Sequence, residues 1–298
     1  MQIPRNESTT NVSLTNWGIL LLLSLVWGSS YILIKKSLLA FTPIQVACLR
    51  LSISAIAFLP FFIWQFRTID WSKFKYLVIV GIAGSALPAI LFSTAQTEIS
   101  SSVAGVLSSL TPLFTLIIGI FFFGTSLIWT KVTGILVGLL GAVSLIVFGQ
   151  NVGIEGNLWY GLFILIGCVC YAISTNTVKT YLQEMSSIKI SAVCFFIVGF
   201  PCLVYLITTD IFQVIQTHEY GWTSLGTVTI LALAGTVMAT ILFFKLVQLT
   251  NPIFASLVSY LIPIVAIFLG AYDGEPITVL HVLGMVLILA GVYLTNRK

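Results

Sequence analysis

Charge is scarce in this sequence. Only 7% of its 298 residues are Asp, Glu, Lys or Arg, against ~25% in a soluble domain. So few charges cannot clothe a protein of this size in water, but they suffice where the lateral surface faces lipid. No basic cluster of the kind a phosphate backbone needs is present, so the formal charge of +4 is a matter of topology and nucleic acid is not an expected partner. The two histidines, His218 and His281, have no carboxylate at catalytic or ligand spacing. The five cysteines (Cys48, Cys168, Cys170, Cys194, Cys202) are odd in number and lie in apolar runs without metal-ligand spacing, which marks them as small packing residues. The chain lacks a glycine-rich phosphate loop, a nucleophile elbow and paired acids within an apolar run. No metal, cofactor or enzymatic activity is therefore expected, and a proton relay through a buried carboxylate is disfavoured. The segment from Met1 to Asn16 is polar, with Arg5 its one basic residue and no small-residue cleavage site, so it does not read as a secretory signal. Sequons at Asn6 and Asn11 matter only if this end faces a secretory lumen.

Apolar residues are plentiful, at 58% of the chain. A membrane span needs roughly 20 of them in a row. The pattern predicts an all-α membrane protein with ten transmembrane helices, at about 17–36, 43–65, 75–96, 101–122, 131–149, 158–181, 188–208, 223–247, 253–271 and 279–296. Turn and charge signals such as Arg67-Thr68-Ile69-Asp70, Gln150-Asn151-Val152-Gly153 and Asp273-Gly274-Glu275-Pro276 fill the gaps. The break between the third and fourth spans rests on Gln96, Glu98 and the serines at 100–102. Both termini are expected in the cytoplasm. Arg67, Lys73, Lys75, Lys131, Lys179, Lys189 and Lys245 then fall inside with Arg5, Arg297 and Lys298, whereas Lys35 and Lys36 fall outside and Arg50 lies within a span.

The two halves, 1–150 and 151–298, can be laid over each other. One constant offset aligns Gly84 with Gly235, Ile90-Leu91-Phe92 with Ile241-Leu242-Phe243, and Pro112 with Pro263. After a one-residue gap Gly134 and Gly141 meet Gly284 and Gly291, and a fainter match sets Trp27 and Lys35 opposite Tyr171 and Lys179. Glycines and prolines carry this argument because backbone needs place them. Five spans per repeat is an odd number, so the second copy is expected to enter the membrane inverted, which is an architecture of transporters.

Arg50 is the foremost candidate for chemistry. A buried arginine must face a partner or a wet cavity, so it either anchors an anionic group or serves as a structural or snorkelling cation. Trp27, Tyr31 and Lys35 share one helix face, with Tyr171 and Lys179 at matching places in the sixth span. These aromatics either line a central cavity or pack near the interface, and Lys35 suits an interfacial anchor. Pro112 and Pro263 each remove a helix bond and free a carbonyl, at Ser108 and Ser259, deep in the membrane. Ser108, Ser109 and Thr111 add polarity in one half, and Ser256, Ser259 and Tyr260 do so in the other. This region is a solute site or a kink that shapes the bundle.

Trp27-Gly28-Ser29-Ser30-Tyr31, Leu49-Arg50, Ala104 to Thr115 with Leu110-Thr111-Pro112-Leu113, its echo Ala255-Ser256-Leu257 through Leu261-Ile262-Pro263-Ile264, and the Gly274-Glu275, Gly284, Gly291 series are together specific. In their order, spacing and duplication the chain resembles the EamA family of the drug/metabolite transporter superfamily. The resemblance runs from about Trp17 to Thr295. It implies a ten-helix carrier in the inner membrane, a central cavity between the repeats, and Trp27, Tyr31, Arg50, Ser108 and Tyr260 as cavity residues. Thr125, where the first repeat has no counterpart to Glu275, and Cys168, Cys170 and Tyr171, where relatives commonly show tryptophan, depart from the pattern and leave substrate choice open.

The sequence thus points to a carrier of small polar metabolites, an exporter of an amino acid or similar compound, working by alternating access. The substrate-binding set is Trp27, Tyr31, Arg50, Ser108, Ser109, Tyr171, Ser259 and Tyr260, and the hinge is Pro112 and Pro263. Its partners are a small-molecule substrate and the lipid bilayer, with a homodimer left open. A multidrug or lipophilic-cation carrier is the rival reading, and it calls for a buried acid that the spans do not offer. A membrane-embedded enzyme and a non-transporting membrane subunit are the remaining alternatives.

Overall fold

The computed structural model describes residues 13–99, 104–105, 107–149, 158–272 and 279–296. The sequons, Arg5, the serines at 100–102, the turns at 150–153 and 273–276, Glu155, Arg297, Lys298 and the side chain of His281 lie outside what is described. Every regular element among the described residues is helical. The helices are α1 (Leu14–Ser37), α2 (Pro43–Gln65), α3 (Trp71–Ala95), α4 (Ser108–Phe123), α5 (Trp129–Gly149), α6 (Gly161–Tyr181), α7 (Ser187–Ile207), α8 (Gly221–Leu249), α9 (Val258–Tyr272) and α10 (Val279–Asn296). Among the described residues, α1, α2, α3, α6, α7 and α8 are long and apolar enough to cross a membrane, and Ser108–Phe123 and Pro252–Val265 are shorter apolar helices. The protein is a multi-pass membrane protein. Many of its large exposed side chains, such as Trp64 and Phe122, are apolar, as lipid contact requires.

Local signals set the helix ends. Ser13 caps α1, its Oγ accepting from Asn16 N at 3.3 Å. Thr42 and Gln45 form a capping box around Pro43, the first residue of α2. Ser186 caps α7, and α4 stops at Gly124, whose φ of 67° is left-handed. Three features depart from the sequence reading. A short helix, Ile211–Thr217, stands between α7 and α8. Pro112, expected mid-helix, lies in the first turn of Thr111–Phe123, after a 3-10 turn at Ser108–Leu110, where its missing N–H costs no bond. The ninth apolar run breaks at Leu257 into a single turn, Pro252–Ser256, and α9, which contains Pro263.

Packing comes in matched pairs. Helix α4 lies on α6 as α9 lies on α1; α3 lies on α6 as α8 lies on α1; α3 lies on α7 as α8 lies on α2. Two further pairs, α2 with α7 and α5 with α10, join like helices of the two halves. The α5/α10 seam is held by glycine. A Cβ on Gly141 would fall 2.6 Å from the backbone nitrogen of Ile288 and 2.9 Å from the Gly284 carbonyl. A Cβ on Gly291 would run into the Gly138 backbone and lie 2.7 Å from the Gly134 carbonyl. The contacts climb one helix as they descend the other, so the two run antiparallel.

Helices α3 and α8 each contain a π-helical turn, Ile82–Ala86 and Leu233–Met238, at matching points of the two halves. Such turns often mark functional sites, because an extra residue leaves carbonyls free of their helical partners. Gly84 and Gly235 lie within them.

Candidate functional site

A cavity of about 110 Å³ lies between α1, α2, α3, α4, α6, α8 and α9. Two aromatic walls face it. In one, Trp27 of α1 meets Phe243 of α8 with ring centres 5.2 Å apart. In the other, Tyr171 of α6 meets Phe92 of α3 at 5.9 Å, and Tyr31 approaches the same Phe92 at 6.2 Å. Under the offsets that align the halves, Trp27/Phe243 and Tyr171/Phe92 are the same pair. Beneath each wall a serine packs on a π-turn glycine. A Cβ on Gly235 would fall 2.9 Å from Ser30 Oγ, and one on Gly84 would collide with Ser174 Oγ. These glycines let α1 reach α8, and α6 reach α3, at backbone range.

The polar lining is uneven in charge. Arg50 projects from α2 into the wall, and its Nε donates to Thr236 Oγ1 at 2.6 Å. Thr236 in turn donates to the carbonyl of Leu231, five residues back and just ahead of the π-turn, at 3.1 Å. The same turn leaves the Gly235 carbonyl free to accept from Trp27 Nε1 at 2.9 Å. Among the described residues the cavity lining holds no carboxylate, and Arg50 is its one cation. The place that matches Arg50 in the second half holds Cys194, which donates to the Leu77 carbonyl at 3.3 Å and does not reach the cavity. The site is therefore built on a near two-fold frame with charge on one side only.

The hydroxyls are mostly committed as donors to their own helices. Ser30 donates to Val26 O at 2.9 Å, Thr175 to Tyr171 O at 2.7 Å, Ser256 to Ile253 O at 2.8 Å, and Ser108 to Gly105 O at 2.5 Å. Their oxygens are left to act as acceptors toward whatever fills the space.

Six of the residues singled out from sequence (Trp27, Tyr31, Arg50, Ser108, Tyr171 and Ser259) come together in this lining. Ser109 and Tyr260 do not. Tyr260 is fully buried, its OH donating to the Ile135 carbonyl at 2.8 Å and its ring packed on Gly138. Ser109 is also fully buried and donates to the Ser259 carbonyl at 3.3 Å. That bond supplies a partner for the carbonyl that Pro263 frees, while Thr111 Oγ1 supplies one for Ser108 O at 2.7 Å. A side chain of the protein thus satisfies the carbonyl that Pro263 frees, whereas Ser108 O accepts from both the backbone N–H and the hydroxyl of Thr111. Lys179 donates to the carbonyls of Gln248 and Thr250 at 3.0 and 2.7 Å, capping the end of α8, and Lys35 is exposed. The sequence reading did not select Thr236, Phe92, Phe243, Ser30 and Ser174 as site residues. The signal for them was the duplicated glycine of the π-turns and the phenylalanine eight residues beyond it.

The EamA-like transporter family matches the chain twice, at residues 16–147 and 158–297. An uncharacterized transporter of Archaeoglobus fulgidus is 26% identical over 95% of this chain and 99% of its own length. The uncharacterized inner membrane transporter YedA of Escherichia coli is 25% identical over 95% of this chain and 93% of its own. The uncharacterized transporter YdfC of Bacillus subtilis is 28% identical over 92% and 88%. One solved crystal structure superposes with a TM-score of 0.71, covering 94% of this chain and 96% of its own at 15% identity, a likeness of fold alone. Matched in both halves over nearly its whole length, this chain belongs to the EamA-like transporter family.

Proposed function

We propose that this membrane transporter carries a small zwitterionic metabolite, an amino acid or close relative, and exports it by alternating access. The observation that carries the reading is the split chemistry of the cavity. Arg50 offers one fixed cation for a carboxylate. The hydroxyl oxygens, their protons already donated to helix carbonyls, offer acceptors for an ammonium group. The aromatic walls suit the apolar remainder of such a solute. Trp27, Tyr31, Arg50, Ser108, Tyr171 and Ser259 form the proposed binding set, joined by Thr236. Pro112 and Pro263 serve as the hinge region.

Ten spans in two inverted five-helix repeats, 1–150 and 151–298, with both termini cytoplasmic, form the frame of this proposal. Its support is the matched packing of the helix pairs, the paired π-turns, and the lysine and arginine bias. A lipophilic-cation carrier gains no support from a cavity whose described lining holds a cation and no acid.

The test is flux into proteoliposomes. Labelled neutral amino acids should accumulate with the parent protein, and Arg50→Ala should lose this while folding normally. Equal flux in the parent and in Arg50→Ala, or flux of hydrophobic cations only, would remove the reading.

A further inference from the structure

A second concavity lies away from the central cavity, on the outer face where α2, α7 and the start of α3 meet. It holds about 260 Å³, and its lining is entirely apolar. An aromatic track runs along it. Phe200 follows Phe196 at 6.0 Å, Phe196 stacks on Phe62 at 4.1 Å with planes 10° apart, and Phe62, Phe66 and Trp71 continue at 5.5 and 5.1 Å. From Val193 to Pro201 the lining covers nine residues of α7, roughly 12 Å of helix axis. Its deep end is well inside α7, at hydrocarbon depth.

The other end is basic. Arg67 follows Phe66 and Lys73 precedes Phe74, and both phenylalanines line the groove. Lys189, in the first turn of α7, reaches across to donate to the Thr68 carbonyl at 3.2 Å. The one acid in this loop, Asp70, is exposed, accepts from Ser72 Oγ at 2.6 Å and Ser72 N at 3.1 Å, and offsets part of the Lys73 charge, leaving the three cations in excess of it. Cations therefore stand at headgroup depth directly beside an aromatic slot at acyl-chain depth, in the same leaflet.

We propose that this groove is a binding site for an anionic phospholipid, one acyl chain lying along Phe200, Phe196 and Phe62 and the phosphate facing Arg67, Lys73 and Lys189. A neutral lipid would fill the slot equally well but gain nothing from the rim. Charge at the surface is what separates the two, since basic residues next to a membrane favour anionic headgroups. The lining excludes a polar solute from this groove, so the site is independent of the transport reading.

The experiment uses the full chain, purified in dodecylmaltoside and stripped of lipid. Dioleoyl phosphatidylglycerol and dioleoyl phosphatidylcholine are added back in turn, and the melting temperature is followed. The expected result is a rise of several degrees with phosphatidylglycerol and a clearly smaller one with phosphatidylcholine. Arg67→Gln with Lys73→Gln and Lys189→Gln, changes on the protein surface, should bring the two lipids level. Ile197→Trp, which puts an indole in the slot, should blunt the response to both. Equal stabilisation of the parent by both lipids would overturn the proposal, as would a preference that survives the triple variant. So would an Ile197→Trp protein that keeps its full response to phosphatidylglycerol, since the acyl chain would then lie elsewhere.

Discussion

Arg50 Nε and Thr236 Oγ1 lie 2.6 Å apart, and this bond ties the middle of α2 to the π-turn of α8. The guanidinium is thus held by its inner nitrogen while it forms part of the cavity wall. A cation fixed this way is preorganised, and its substitution tests the site most directly. Arg50→Ala should weaken substrate binding by about 10- to 100-fold, the equivalent of losing one charged hydrogen bond. Thr236→Val, which leaves the charge but frees it to move, should weaken binding by about tenfold at most. Isothermal titration with the transported solute would check both, and equal affinity in all three proteins would contradict the site.

The contacts of Gly84 and Gly235 predict reciprocal rescue. Gly84→Ala pushes a methyl into Ser174 Oγ, and Gly235→Ala pushes one toward Ser30 Oγ. Each should cost about 1–3 kcal/mol of stability as overpacking. Ser174→Ala should recover much of the first loss and Ser30→Ala much of the second, with no cross-rescue. Melting curves of the four double variants decide it.

Tyr260 separates packing from binding. Its hydroxyl is committed to the Ile135 carbonyl and its ring to Gly138, behind the cavity wall. Tyr260→Phe should lower stability by about 0.5–1.5 kcal/mol and leave the KM for transport unchanged. A large change in KM at unchanged stability would return Tyr260 to the binding set.

Lys179 fastens α6 to the end of α8 through two carbonyls. Lys179→Met keeps the apolar stem and removes the donors, and a loss of about 1.5–3 kcal/mol is expected. Lys35, at the matching place in α1, is exposed, and Lys35→Met should change stability by less than about 0.5 kcal/mol. Parallel melts of the two variants check the asymmetry.

The helices were easy to see in the sequence, and the faces of the helices were not. The apolar run at 43–65 coincides with α2 because Thr42, Pro43 and Gln45 write its start in capping chemistry. Trp27, Tyr31, Arg50 and Tyr171 stood out because a polar or aromatic residue deep in an apolar run needs a reason to be there. Tyr260 and Ser109 misled for a related cause. In a membrane protein the core and the lipid face are both apolar, so hydropathy does not say which side of a helix looks inward. Tyr260 is polar enough to suggest a cavity, and only its distance from Ile135 shows that it serves a backbone carbonyl instead. The π-turns left only an indirect mark, the aligned Gly84 and Gly235, because one extra residue in a turn changes hydrogen bonding without changing composition. The helix at 211–217 escaped because seven residues beside a charged loop carry too little periodicity to be read.

The glycine seam between α5 and α10 is made of two like faces. Gly134, Gly138 and Gly141 correspond by one offset to Gly284, Ile288 and Gly291, and each set touches the other in the same way. Such a contact is isologous, the kind that two copies of one subunit make across a two-fold axis. Each half of the chain therefore presents to the other the same face that it receives, and the seam is its own complement.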